Sequence, residues 1–232
     1  MFSYFGSKSK LVKYYPKPKY DIIIEPFAGS AQYAFHYWDK QVILIEKDKA
    51  IFDIWDWLIN KATYDIIINL PLYKYNEIID IENKAIKNLI SLESFRGCCF
   101  RSNNDFAKRK IGNRNRNRWS ANNGNGRKRI ADNLYKIRHW KIIHGDYSLA
   151  NNIEATWFID PPYSNGIGSR YNYNCDSINY TELGKWCKER KGQIIVCEDL
   201  LADWLPFEFL HLNIGQYHSI GKNIEAIWTN DK

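Results

Sequence analysis

Short apolar runs punctuate this chain, and several end in an acid. Tyr20–Glu25 reads YDIIIE, Gln41–Glu46 QVILIE, Trp140–Asp146 WKIIHGD, Ala155–Asp160 ATWFID and Gln193–Glu198 QIIVCE. Each run is a few residues long and β-branched or aromatic, as expected of strands buried on both faces of a parallel sheet. Ala31–Trp38, Ala50–Asn60 and Tyr180–Arg190 fit helices between them. Alternation of this kind predicts a doubly wound α/β sheet. Phe207–Leu212 and Glu225–Thr229 are expected to finish it as an antiparallel pair.

Between Ala62 and His139 the alternation stops. Ala62–Phe100 has apolar residues at mixed helical spacings, Arg101–Gly126 is polar and rich in Asn and Gly, and Arg127–Arg138 reads as one more basic helix. Residues 63–139 are therefore expected to be an insertion, mainly helical, in a catalytic domain made of residues 1–62 and 140–232. The Asn/Arg/Gly run also has the composition of a loop that stays disordered when free.

Composition sharpens this picture at one place. The 232 residues are 45% hydrophobic, enough for a real core, and carry a formal charge of +7. Ten basic residues lie in the stretch 101–129 (Arg101, Lys108, Arg109, Lys110, Arg114, Arg116, Arg118, Arg127, Lys128 and Arg129) against one acid, Asp105. That stretch carries +9 and leaves −2 for the rest of the +7 chain. A basic segment on a near-neutral body points to a polyanionic partner, bound through its phosphates. The five cysteines include no Cys-x-x-Cys pair and the histidines stand apart, so neither a disulfide framework nor a metal site is expected. The first ten residues lack an apolar signal core, and no apolar run approaches the ~18 residues of a membrane span. The expectation is a cytoplasmic protein without a membrane partner, with a monomer favoured.

Ligands of open α/β sheets bind beyond the carboxyl ends of the strands. There the first run passes into Glu25-Pro26-Phe27-Ala28-Gly29-Ser30-Ala31, whose small residues let a ligand approach the backbone. This is not the G-x-G-x-x-G of a dinucleotide site. The second run ends at Glu46, about 20 residues on, where a carboxylate can accept from ribose hydroxyls. Taken alone, Glu46 reads more readily as a solvated strand-end acid.

The fourth run ends in Asp160-Pro161-Pro162-Tyr163. Two prolines fix the backbone and carry no amide hydrogen, so the segment presents acceptors. The Asp160 carboxylate and the Pro161 carbonyl can accept from one amino group, and Tyr163 offers a flat face to a planar base. The plainer alternative is a proline-stiffened strand exit with a stacked tyrosine.

Asp160-Pro161-Pro162-Tyr163, the Glu25-Pro26-Phe27-x-Gly29 turn and Tyr4-Phe5-Gly6-Ser7-Lys8, in this order, resemble the Dam family of DNA adenine methyltransferases. The resemblance runs from Tyr4 to Glu225–Asn230. It implies a Rossmann-like class I methyltransferase fold, S-adenosylmethionine as methyl donor, double-stranded DNA as partner, and a bacterial or phage-infected cell as setting. It implies that Tyr4, Phe5, Gly6 and Lys8 border the methionine moiety, that Glu25, Pro26, Phe27 and Gly29 cradle the cofactor, that Glu46 holds the ribose, and that Asp146-Tyr147 borders the adenine. It further implies Asp160, Pro161, Pro162 and Tyr163 as catalytic residues working on a flipped-out base, and the basic residues of the insertion as DNA contacts. Two positions depart from the family pattern: Ser7 stands where a second glycine is usual, and Ala31 where the turn usually ends in glycine. RNA adenine or cytosine-amino methylation, or a catalytically inactive DNA-binding protein on the same scaffold, would use many of the same residues.

Overall fold

The computed structural model describes residues 1–74, 77–94, 118–120, 125–164, 168–211 and 224–231. Strands β1 (Ile22–Glu25), β2 (Gln41–Glu46), β3 (Lys141–His144), β4 (Ala155–Ile159) and β5 (Gly192–Asp199) are parallel, and β6 (Glu208–His211) and β7 (Glu225–Thr229) close the sheet antiparallel. The seven strands lie in the order β3-β2-β1-β4-β5-β7-β6. That is the strand order of class I methyltransferases. The expected α/β sheet and its antiparallel finish are both present.

Alternation along each strand divides the core. Ile23, Leu44, Phe158, Ile195 and Cys197 face one layer, and Ile24, Ile45, Trp157, Ile159, Ile194 and Val196 the other. The second layer is covered by α6 (Tyr180–Lys188) through Leu183 and Cys187. The first is covered by α2 (Lys49–Asn60), which buries Ile51, Ile54, Trp55, Trp57, Leu58 and Ile59. Asp48 caps α2, its side chain accepting from the Ala50 amide at 2.9 Å.

The described part of residues 63–139 continues this first layer. Helices α3 (Tyr64–Ile68), α4 (Lys84–Ser94) and α5 (Gly126–Asp132) bring Ile67, Leu89, Ile90, Leu92 and Ile130 into one cluster with Trp55 and Leu58. Two expected helices are shorter than their patterns. Pro71 lacks the amide needed to continue α3, and the chain runs irregularly to α4. Asn133 ends α5: its side chain donates to the Arg129 carbonyl at 2.8 Å, and a 3-10 turn, Leu134–Ile137, follows. No helix among the described residues is long and apolar enough to cross a membrane.

Helix α1 (Gln32–His36) opens the turn after β1 in an unusual way. Ala31, its N-cap, sits at φ 44°, ψ 51°, in left-handed space that glycine enters freely. Alanine there is strained by about 1–3 kcal/mol. Ala31→Val, which adds β-branching at a positive φ, is expected to cost about 2 kcal/mol or more, whereas Ala31→Gly stays within about 1 kcal/mol of the parent. Urea unfolding of the two variants checks this; equal midpoints would mean that the turn readjusts.

Candidate functional site

The carboxyl ends of β1, β2 and β4 surround a cavity of about 320 Å³. Its walls include Tyr4, Phe5, Gly6, Ser7, Lys8, Glu25, Pro26, Phe27, Gly29, Glu46, Asp146, Tyr147, Asp160 and Pro162. Three segments far apart in sequence therefore meet in one place.

Each wall has a local cause. Ala31 has no side-chain acceptor for the first turn of α1, and Glu25 does that work: its Oε1 accepts from the Ala34 amide at 2.6 Å. Burial pushes the Glu25 carboxyl up to about 8. Gly29, at φ 46°, lies so close to Tyr4 that an added Cβ would come within 3.2 Å of the ring. Its carbonyl accepts from Trp55 Nε1 at 2.8 Å, and its amide donates to Glu46 Oε2 at 3.0 Å. Glu46 Oε1 accepts from the Asp48 amide at 2.8 Å. The Lys47 amide also bonds this carboxylate, so at least one lone pair stays open to a ligand hydroxyl. Burial lifts Glu46 to about 7 against the pull of those amides.

On the β3 side, Asp146 caps the turn Tyr147–Leu149 by accepting from the Ser148 amide at 3.2 Å, and it pairs with Lys47 at 3.1 Å. Tyr147 stacks on Phe27, ring centroids 5.4 Å apart and planes at 28°. This pair forms an aromatic end to the cavity.

At the β4 exit the carboxylate has a partner that sequence spacing did not reveal. Lys8 Nζ lies 3.0 Å from Asp160 Oδ1 and donates to Tyr163 Oη at 2.6 Å. Burial pushes Asp160 up to about 6 while Lys8 pulls the other way. Burial alone would lower Lys8, but the Asp160 and Glu225 carboxylates outweigh it and hold the ammonium charged. Tyr163 is buried, its hydroxyl end is held by Lys8, and unlike Asp160 and Pro162 it does not line the cavity. Pro162 is locked as well, its carbonyl accepting from Tyr180 Oη at 2.5 Å.

Residues beyond the sequence motifs complete the walls: Asp48, Gln32 and the segment Tyr171-Asn172-Tyr173. Asn172 donates to Asp48 at 3.1 Å, and Lys47 stands over the Tyr173 ring at 5.2 Å. An aromatic-amide run so soon after Asp160–Tyr163 was the available signal for this cover.

Of the ten basic residues, Arg101, Lys108, Arg109, Lys110, Arg114 and Arg116 lie outside the described residues. The other four have partners within the chain. Arg118 donates to Ser3 Oγ at 3.2 Å, Arg127 to the Leu70 carbonyl at 2.7 Å, Lys128 pairs with Asp132 at 2.6 Å, and Arg129 with Glu93 at 2.7 Å. No protein-family model matches this chain, and no curated protein matches it in sequence. Strand order decides the class. The scaffold is class I methyltransferase-like. Such a scaffold puts its ligands at the strand ends, where this cavity lies.

Proposed function

We propose that the protein is an S-adenosylmethionine-dependent methyltransferase acting on the exocyclic amino nitrogen of adenine in duplex DNA. One observation carries this reading: the Tyr4–Lys8 segment, the Glu25–Ala31 turn, Glu46 and Asp160 line a single cavity at the strand ends.

The residues present fit such a cofactor. About 320 Å³ lies within the range of small-molecule sites. Lys8 and Lys47 are matched by Asp160 and Asp146, Glu25 is mostly protonated at pH 7, and Asp48 with a partly ionised Glu46 leaves a small acidic excess, which suits a cationic ligand and opposes a dinucleotide's phosphates. Gly29 keeps the wall beside Tyr4 open, where a side chain would fill it. Glu46 would hold the ribose, Phe27, Asp146 and Tyr147 the adenine end, and Tyr4, Phe5, Gly6, Lys8, Glu25 and Pro26 the methionine end. When bound, the cofactor supplies an electrophilic methyl group.

The rest falls to the chain itself. Lys8 occupies Asp160 Oδ1, leaving Oδ2 with the Pro161 carbonyl as acceptors for the amino group. Two acceptors drawing on the N–H protons orient the nitrogen and raise its electron density. Tyr163 is held in place by Lys8 and Glu225, and Pro162 keeps the segment rigid. Much of the rate gain comes from positioning. The insertion, residues 63–139, supplies the DNA surface. Its phosphate contacts come from Arg101, Lys108, Arg109, Lys110, Arg114, Arg116 and Lys128, whose pair among the described residues is an exposed one on its own helix, whereas Arg118, Arg127 and Arg129 are tied to other parts of the chain.

Calorimetry with S-adenosylhomocysteine tests the cofactor half. Glu46→Ala is expected to weaken binding about tenfold or more, the worth of hydrogen bonds to a charged group. Hydroxyls donate best to the ionised carboxylate, so parent affinity should rise as pH rises through about 7, and this dependence should vanish in the variant. An unchanged dissociation constant would make Glu46 a mere strand-end acid.

A further inference from the structure

A second carboxylate stands behind Asp160, and none of the sequence motifs contains it. Glu225 opens β7, opposite Asp199 of β5. The strand start is clamped: the Ile224 amide donates to Asp199 Oδ2 at 3.0 Å, and the Ile224 carbonyl accepts from the Leu200 amide at 3.0 Å. The Glu225 side chain is only 10% exposed. Its Oε1 accepts from Tyr163 Oη at 2.7 Å and from Tyr15 Oη at 2.6 Å, with Lys8 Nζ at 3.6 Å.

Donor chemistry fixes the direction of these bonds. An ammonium has donors only, so Tyr163 Oη must accept from Lys8 and send its own proton to Glu225. Tyr15 sends its proton to the same oxygen. One carboxylate oxygen thus orders two phenols, and through Tyr163 it holds the Lys8 ammonium where that ammonium reaches Asp160.

We propose that Glu225 is a positioning residue for the amino-acceptor site, holding Lys8 and Tyr163 in place and sharing the Lys8 charge with Asp160. The proposal rests on the reading of Asp160 as the amino acceptor. The charged and titratable groups around this pair are Lys8, Tyr15, Glu25, Asp160, Tyr163, Tyr171, Cys197 and Glu198. Lys8 is the cation among them, and Asp160 and Glu225 are the carboxylates it touches. Burial and then the Glu225 charge raise Asp160, while Lys8 lowers it. Removing the Glu225 charge leaves Lys8 to Asp160 alone, so Asp160 should titrate at lower pH.

Glu225→Gln is isosteric and keeps an acceptor for both phenols. Two readouts are taken on the full chain: the carboxyl titration of Asp160 by carbon-13 NMR, and kcat/KM for methyl transfer to duplex DNA against pH. In Glu225→Gln the Asp160 titration should move down by about one pH unit, the size of a like-charge effect. The acid limb of kcat/KM should follow it, with kcat reduced about tenfold. Tyr15→Phe lightens the load on the same oxygen without changing charge, and its titration should stay at the parent value. An unmoved Asp160 titration in Glu225→Gln would overturn the proposal whatever the activity, as would a variant that only loses stability. A shifted titration in a parent protein that transfers no methyl group would overturn the functional reading and leave the Glu225–Asp160 coupling standing.

Discussion

Asp160→Ala is expected to keep the fold and S-adenosylhomocysteine binding while losing methyl transfer by a factor of roughly ten to a hundred or more. A hydrogen bond to a charged group is worth about 1.5–3 kcal/mol, and about 1.4 kcal/mol is a factor of ten. The fold should survive because Lys8 keeps Tyr163 and Glu225 as partners when Asp160 is gone. The pH dependence has a definite sign. Burial raises the Asp160 carboxyl to about 6, so it is mostly ionised at pH 7 and protonates as pH falls through that value. A protonated carboxyl is a poorer acceptor, so kcat/KM in the parent should fall on the acid side of about pH 6. Steady-state kinetics from pH 5 to 8 on parent and variant checks both points (~10-fold per pH unit on the limb). Near-parental turnover in Asp160→Ala would remove Asp160 from the chemistry.

The second large effect is on stability. Glu93 is fully buried in α4, and its Oε1 accepts from the Ser3 amide at 2.6 Å and from Arg129 Nη2 at 2.7 Å. Its Oε2 has no hydrogen-bond partner among the described residues. Arg129→Ala leaves this carboxylate without its cation, and stranding one member of such a pair costs about 3–5 kcal/mol. Because the Arg129 side chain is 41% exposed, the lower figure, about 3 kcal/mol, is the expectation. Glu93→Gln in the same background should recover part of the loss, because the stranded charge is gone. Urea unfolding reads both. A parental midpoint together with a smaller salt slope for DNA binding would return Arg129 to the nucleic-acid surface.

Arg129 also shows where sequence reasoning stops. Charge arithmetic finds a basic segment, but it counts residues and not partners. Arg127 and Arg129 carry charge in that sum, yet each is tied to the body of the protein. The sheet was legible because a buried parallel strand has a strong local signature, as in Ile22–Glu25 and Ala155–Ile159. The Asp160–Tyr163 segment stood out because an acid before two prolines at a strand end is chemically unusual, and the fold places it at the end of β4. Two things were not readable. Contacts across the sheet, such as Lys8 with Asp160 and Tyr163 with Glu225, join residues that no local pattern links. Backbone strain at Ala31 leaves no mark in composition; only the resemblance, which puts glycine at this position, singled it out.

The most direct measurement supplies methyl-tritiated S-adenosylmethionine with duplex DNA or with RNA and digests each product to nucleosides. Label in N6-methyldeoxyadenosine from the duplex, lost in Asp160→Ala, is the predicted result. Label confined to RNA or to a cytosine amino group would contradict the substrate assignment. No transfer to any nucleic acid, with DNA still bound, would contradict the enzyme itself and leave a DNA-binding protein on a methyltransferase-like scaffold.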